Sequence, residues 1–171
     1  TGIAAQSTQN TNEDPEFLYK MGMMRLEGGR ISADKKRGFN MLKAASERDY
    51  FKATYELALC YKEGRETKQN VEEALTLLRK ASEGGCGEAS YYLGILYEEG
   101  RGVEANLEEV VRFYKLGSEQ GSVSAMQRLA NCYVKGTGLE QNEEEAKRLY
   151  TEISRRALEQ SEGIEWEEDG E

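Results

Sequence analysis

The chain has 171 residues, with 32 acidic and 23 basic side chains and a formal net charge of −9 at pH 7. It contains no histidine, which excludes catalysis by an imidazole base and any histidine-ligated metal site. The negative net charge argues against nucleic acid as the main partner, because phosphate binding needs a basic surface.

Residues 1–16 are rich in Thr, Gln, Asn, Ala and Ser, a composition that predicts a flexible polar leader. Pro15, the single proline, is expected just before the first helix, where proline is tolerated. The sequence starts at Thr1 rather than methionine, so we expect a fragment or a processed product. No apolar run approaches the roughly 18 residues that span a membrane, and no signal-peptide stretch is apparent.

A 36-residue repeat follows the leader. Ala53, Ala89 and Ala125 are one step apart, and a degenerate first copy begins at Phe17. The same step relates further sets: Leu57, Leu93 and Leu129; Tyr61, Tyr97 and Tyr133; Gly64, Gly100 and Gly136; Asn70, Asn106 and Asn142. We therefore predict four copies over residues 17–160, namely 17–52, 53–88, 89–124 and 125–160, with a tail over 161–171.

Each copy has the pattern of a helix pair. Leu57 and Tyr61 lie four residues apart, on one apolar stripe of a first helix. Gly64 follows as its stop, because a left-handed backbone costs little only for glycine. Asn70 is predicted to cap the second helix, and Glu73 completes the pattern of a capping box.

One such pair is too small to bury its own apolar face, so neighbouring copies are expected to stack. The alanines at positions 53, 89 and 125 fit as points of close approach between helices. In the first copy, Asp34 occupies the cap position. The predicted fold is all-α: a right-handed α-solenoid of four 36-residue helix-turn-helix repeats.

The third copy carries the pattern A-x-x-x-L-G-x-x-Y-x-x-G-x-G-V. Its residues are Ala89, Leu93, Gly94, Tyr97, Gly100, Gly102 and Val103. This pattern resembles that of Sel1-like repeats, although Ala58 and Ala130 replace the helix glycine and Glu66 replaces a loop glycine. The resemblance implies an interaction scaffold or adaptor that binds protein or peptide and carries no cofactor.

In helix-pair solenoids the first helices usually line the concave surface, so their outward positions are candidate partner-binding sites. These positions are Tyr19, Met23, Tyr55, Leu59, Tyr91, Ile95, Gln127 and Asn131, called the strip below. The strip is apolar and hydroxyl-bearing in copies one to three and polar in copy four, as a peptide groove requires. The alternative is that these side chains pack against the adjacent helix as part of the core.

Three cysteines are too few and too widely spaced for a zinc knuckle or a disulfide scaffold, and they favour a reducing compartment. Cys60 and Cys132 are equivalent positions, filled by Leu96 in copy three and Met24 in copy one. A position that accepts Met, Cys, Leu and Cys is predicted to be a packing site. Cys86 lies beside a glycine-rich turn and has no reactive partner nearby in sequence.

The tail holds the single tryptophan, Trp166, among acidic residues. Its motif comprises Ile164, Trp166, Glu167 and Glu168. The motif resembles the tryptophan-acidic peptides bound by kinesin light chains, except at Ile164. Alternatively, Trp166 folds back and caps the last helix pair, which a solenoid needs at its ends, or the tail is disordered.

No catalytic constellation is apparent: there is no phosphate-binding loop, and the recurrent glutamate pairs lie at helix starts, where they favour the helix dipole. We therefore expect a cytoplasmic, non-enzymatic scaffold without metal, cofactor, nucleic acid or membrane insertion. The alternative is a regulatory or substrate-docking segment of a larger protein, since similar repeats occur in elongation factor 2 kinase. Residues 17–160 hold 23 basic and 23 acidic side chains, so the net charge belongs to the leader and the tail.

Overall fold

The computed structural model describes residues 14–28 and 32–162, and within these ranges it contains eight α-helices and no strand. The helices are α1 Pro15–Gly28, α2 Ser32–Glu47, α3 Phe51–Glu63, α4 Val71–Glu83, α5 Gly87–Glu99, α6 Leu107–Glu119, α7 Val123–Lys135 and α8 Glu143–Glu162. The starts of α3, α5 and α7 are 36 residues apart, and so are those of α4, α6 and α8. The predicted repeat of helix pairs is confirmed.

The chain divides into two compact units, residues 1–89 (unit 1) and 90–171 (unit 2), each described separately. In unit 1, α1 packs on α2, α2 on α3, and α3 on α4. Its core consists of Leu18, Leu26, Phe39, Leu42, Ala45, Ala53, Leu57 and Cys60. The first two helices cross at glycines, since a methyl group on Gly38 would lie 2.7 Å from the carbonyl oxygen of Gly22. Any larger residue at either glycine would push α1 and α2 apart.

In unit 2, α6 packs on α7 and α7 on α8. The buried core consists of Val110, Tyr114, Met126, Leu129, Ala130, Cys132 and Leu149. The Tyr114 ring lies against Gly94 of α5, where a methyl group would come within 2.6 Å of its Cδ1. Gly94 therefore leaves room for the ring of Tyr114, which occupies the position of Leu78 in the second copy.

The glycines after the first helices have the predicted left-handed backbone. Gly64 ends α3 with φ of 71° and donates its N–H to the carbonyl of Cys60, and Gly136 ends α7 in the same way with φ of 68°. Glu66, which replaces a loop glycine, has φ of 57° and thus adopts the backbone of Gly138, whose φ is 69°. The turn geometry is kept even where its preferred residue is missing.

The asparagine caps are confirmed, but the reciprocal half of the capping box is wrong. Asn70 Oδ1 accepts a hydrogen bond of 3.0 Å from the Glu73 N–H. The Asn70 N–H donates to the carbonyl of Tyr61 at 2.8 Å, so it is not available to the Glu73 side chain. The same two bonds recur at Asn106 and Asn142, with Tyr97 and Tyr133 as acceptors. These bonds close each long loop onto the helix that precedes it.

The first copy departs from the predicted boundaries of its helices. Pro15 is the first residue of α1 rather than the residue before it, a position that suits its fixed φ and missing N–H. The second helix begins at Ser32, so Asp34 lies in its first turn and is not the cap. There Asp34 favours the helix dipole instead.

Candidate functional site

The strip residues of α1 are half-buried in unit 1. Tyr19 and Met23 pack against the core cluster with part of each side chain accessible. The Tyr19 ring lies against Tyr50, with centroids 5.2 Å apart and planes tilted by 42°. An aromatic residue held in this way presents a fixed surface, because the packed side of the ring limits its rotation.

The strip residues of α3, Tyr55 and Leu59, are also half-buried in unit 1. Glu56 lies between them in the sequence, and burial raises its pKa. The nearby Arg65 lowers this pKa, whereas the charges of Glu27 and Glu63 raise it. The pKa of Tyr19 is also raised, by burial and then by the charge of Glu56. A carboxylate that is costly to ionise therefore lies within this part of the strip.

In unit 2 the strip is half-buried on α5 and exposed on α7. Tyr91 and Ile95 pack against the core cluster, and the Tyr91 ring stacks on Tyr114 with centroids 6.3 Å apart. Gln127 and Asn131 are exposed. Asn131 Oδ1 accepts a hydrogen bond of 2.8 Å from the Tyr150 hydroxyl. The strip thus changes from apolar and half-buried on α5 to polar and exposed on α7.

A polar network that sequence reasoning missed borders this part of the strip. The buried Tyr114 hydroxyl donates to Glu98 Oε2 at 2.8 Å, and burial followed by this bond raises the pKa of Tyr114. The Arg128 guanidinium lies 3.6 Å from the same carboxylate oxygen. The network links α5, α6 and α7 beside the apolar surface of Tyr91 and Ile95.

One signal in the repeat register points to Arg128. Its equivalents in copies one to three are Lys20, Glu56 and Tyr92, so this position changes charge from copy to copy. A position that no structural rule constrains, next to the candidate strip, is where partner preference would be expressed. The polar and charged groups around Arg128 lie on two other helices, α5 and α6, and no local pattern indicates them.

Comparison with family models shows four consecutive matches to the Sel1 repeat, at residues 15–50, 51–86, 87–122 and 123–156. This chain belongs to the Sel1 repeat family. Sel1 repeat proteins generally mediate protein–protein interaction and are typically non-catalytic scaffolds. A search of curated proteins gives no significant match.

Solved structures show the same fold. A Sel1 repeat protein from Oxalobacter formigenes aligns with a TM-score of 0.75 at 24% identity, over 87% of this chain and 61% of that one. A protective antigen of uropathogenic Escherichia coli with an SLR fold gives 0.72 at 26% identity, over 84% and 31% of the two chains. Helicobacter pylori cysteine rich protein B gives 0.56 at 24% identity, over 81% and 99%. The predicted fold class, an all-α solenoid of four Sel1 repeats, is confirmed.

The cysteines of this Sel1 repeat protein are free thiols. Cys60, Leu96 and Cys132 are buried, as predicted for a packing position, but the equivalent Met24 is 59% exposed. Burial raises the pKa of Cys60, Cys86 and Cys132, which disfavours the thiolate form at each of them.

Among the residues that the structure describes, no cluster of three or more His, Cys, Asp or Glu is arranged to hold a metal ion. In the same residues, no helix has the length and apolar character needed to cross a bilayer. The tail motif of Ile164, Trp166, Glu167 and Glu168 lies outside the described residues, as do residues 1–13 of the leader.

Proposed function

We propose that this Sel1 repeat protein is a non-enzymatic scaffold that binds a peptide or protein segment along the outward faces of its first helices. The observation that carries the proposal is the half-buried state of Tyr19, Met23, Tyr91 and Ile95. Each packs on one side against a core cluster and is accessible on the other. Such anchors lose little conformational freedom when a partner binds.

Charge on the two units supports different partner chemistry beside these anchors. In unit 1, Glu56 is held where its charged form is disfavoured, and a lysine or arginine of the partner would relieve that cost. In unit 2, Arg128 and Glu98 form an exposed pair that a partner carboxylate or amide can join. Because residues 17–160 carry equal numbers of basic and acidic side chains, we propose a protein partner, not nucleic acid. The three free cysteines support a reducing compartment, so we also propose a cytoplasmic location.

Selection from a random peptide library displayed on phage tests the proposal. A peptide selected on the wild-type chain is expected to bind more weakly to at least one of two double variants, Tyr55→Arg/Leu59→Arg and Gln127→Arg/Asn131→Arg. The expected loss of affinity is at least about tenfold, which corresponds to roughly 1.4 kcal/mol. The second variant changes only exposed side chains, so it keeps the test valid if the first fails to fold.

The matched control is Val71→Arg/Leu107→Arg, which places the same charges on exposed apolar residues at the starts of α4 and α6. The control is expected to bind like the wild type. If the selected peptide bound all three variants as tightly as the wild type, or if no peptide were selected, the proposal that the strip is a binding surface would be wrong.

A docking segment of a larger protein is the second candidate. The chain spans 31% of the length of the Escherichia coli antigen, 61% of the Oxalobacter protein and 99% of the Helicobacter pylori protein. The native mass of the protein in cells decides between the two, since a mass near 19.3 kDa supports a free-standing scaffold. In the second case any activity would lie outside residues 1–171.

A further inference from the structure

A cavity of 480 Å³ opens in unit 2 where the start of α7 meets the last turns of α8. It is lined by Gly121, Val123, Arg155, Arg156, Glu159 and Gln160. Its volume lies within the range of about 300–1,000 Å³ that small-molecule pockets occupy. Its lining includes an apolar side chain, Val123, which is 37% exposed, and two cationic residues, Arg155 and Arg156.

The corresponding place in unit 1 holds an aromatic ring. There Phe51, at the start of α3, lies so close to Gly84 that a methyl group on that glycine would overlap the ring. One copy has 36 residues, so Val123 and Arg156 are the equivalents of Phe51 and Gly84 two copies later. The cavity is thus the site where Val123, at the start of α7, stands in place of the ring that Phe51 supplies at the start of α3.

We propose that Trp166 docks into this cavity, with its indole against Val123 and the Arg156 guanidinium, and so supplies the missing ring. The proposal does not depend on the proposed function. An indole beneath a guanidinium is the favoured cation–π arrangement, and the Arg156 head is already held in place by a 3.0 Å bond to the carbonyl of Gly121.

The chain between the cavity and Trp166 is long enough for this return. Gln160 lines the cavity, α8 ends at Glu162, and four more residues reach Trp166. Four extended residues span up to about 14 Å, which exceeds the roughly 9 Å rise along α8 from Arg156 to the helix end. Gly163 directly follows the helix, and glycine is the residue that most readily reverses the chain there.

Charge also favours this occupant. Arg155 and Arg156 are the last cations of the sequence, and every later charged residue is acidic. Both guanidinium groups contact carboxylates of α8, since Arg155 pairs with Glu152 and Glu159, and Arg156 pairs with Glu152 at 2.7 Å. The Arg155–Glu159 pair is exposed and the Arg156–Glu152 pair is half-buried, so Glu165 and Glu167 can share the Arg155 cation at little cost.

Trp166 is the only tryptophan, so fluorescence of the whole chain reports on this residue alone. The expected result is a blue-shifted emission and acrylamide quenching several-fold weaker than in the free peptide of residues 163–171. The Val123→Glu variant, which places a carboxylate in the cavity, is expected to shift the emission to that of the free peptide. Val134→Glu changes another exposed valine of α7 and is expected to leave the emission unchanged.

Circular dichroism is the check that both variants remain folded. We expect Val123→Glu to fold, because Val123 lies in the first turn of α7, where a glutamate favours the helix dipole. Emission and quenching in the wild type that match the free peptide would overturn the proposal. So would protection that survives in a folded Val123→Glu variant, because the indole would then be buried elsewhere. Protection that disappears on dilution would assign the tail to a second copy of the chain and overturn docking within one chain.

Discussion

Replacing Gly94 with alanine tests the contact between α5 and α6 most directly. The added methyl group would lie 2.6 Å from Cδ1 of Tyr114 and closer still to Cε1, whereas ordinary contacts between carbon atoms begin near 3.4 Å. The ring is 1% exposed and is tied to Glu98 by its hydroxyl, so it has no open side towards which to move. The helices or the ring must therefore shift by about 1 Å.

The magnitude follows from two opposing effects. Overpacking of a tight core costs about 1–3 kcal/mol, and a ring without free space belongs at the upper end of that range. Alanine favours the helix over glycine by about 1 kcal/mol. We expect Gly94→Ala to lower the free energy of unfolding by about 2 kcal/mol, which is roughly 4–8 °C in melting temperature for a chain of this length.

Urea unfolding followed by circular dichroism measures this effect and its cause. Combining Gly94→Ala with Tyr114→Leu recreates the Ala58 and Leu78 pair of the second copy, and the double variant should lose about 2 kcal/mol less than the sum of the two single changes. Gly28→Ala is the control, because a methyl group there meets no atom within 4 Å. Stability of Gly94→Ala within about 0.5 kcal/mol of wild type, or simple additivity in the double variant, would refute the reasoning.

Three other predictions concern a turn, a buried carboxylate and a cap. Glu66→Gly should stabilise the chain by about 1 kcal/mol, because Glu66 has a positive φ that glycine adopts without strain. Gly138→Ala at the equivalent turn should destabilise the chain by at least that amount, and thermal melts of the two variants measure both effects. The pKa of Glu56 is raised above 4.5, so folding favours its protonated form, and the stability this provides is lost as pH rises through the folded-state pKa. Glu56→Gln should therefore raise the melting temperature at pH 7 but not at pH 4, and an equal effect at both would contradict the burial argument. Asn142→Ala should cost about 1 kcal/mol in urea unfolding, and no loss would mean that its bond to Glu145 contributes nothing.

Local features of this fold were predictable from sequence because each is decided within one copy. A glycine after three helical turns and an asparagine before the next helix satisfy backbone groups only a few residues away. The predictions that were wrong concern hydrogen-bond partners that are more distant in the sequence. The Asn70 N–H is used by Tyr61, nine residues earlier, and the capping-box pattern contains no information about that carbonyl.

The candidate site shows the same limit at longer range. Helical spacing places Tyr91 and Ile95 on one face of α5, but how deeply they are buried depends on the core beneath them. The pairing of Arg128 with Glu98 joins residues 30 positions apart, and it requires the packing of α7 beside α5. Met24 shows the converse case, in which an apolar residue at a packing position is exposed because the first copy is irregular.

The bond from each cap asparagine to the tyrosine carbonyl at the end of the preceding helix has a consequence for protein engineering. Because both partners belong to the same copy, the conformation of the long loop does not depend on which copy comes next. Copies are therefore expected to behave as exchangeable cassettes when the chain is cut at the short turns between them, for example after Cys86. A substitution in the first helix of one cassette can then be made without redesign of the long loop that follows that helix.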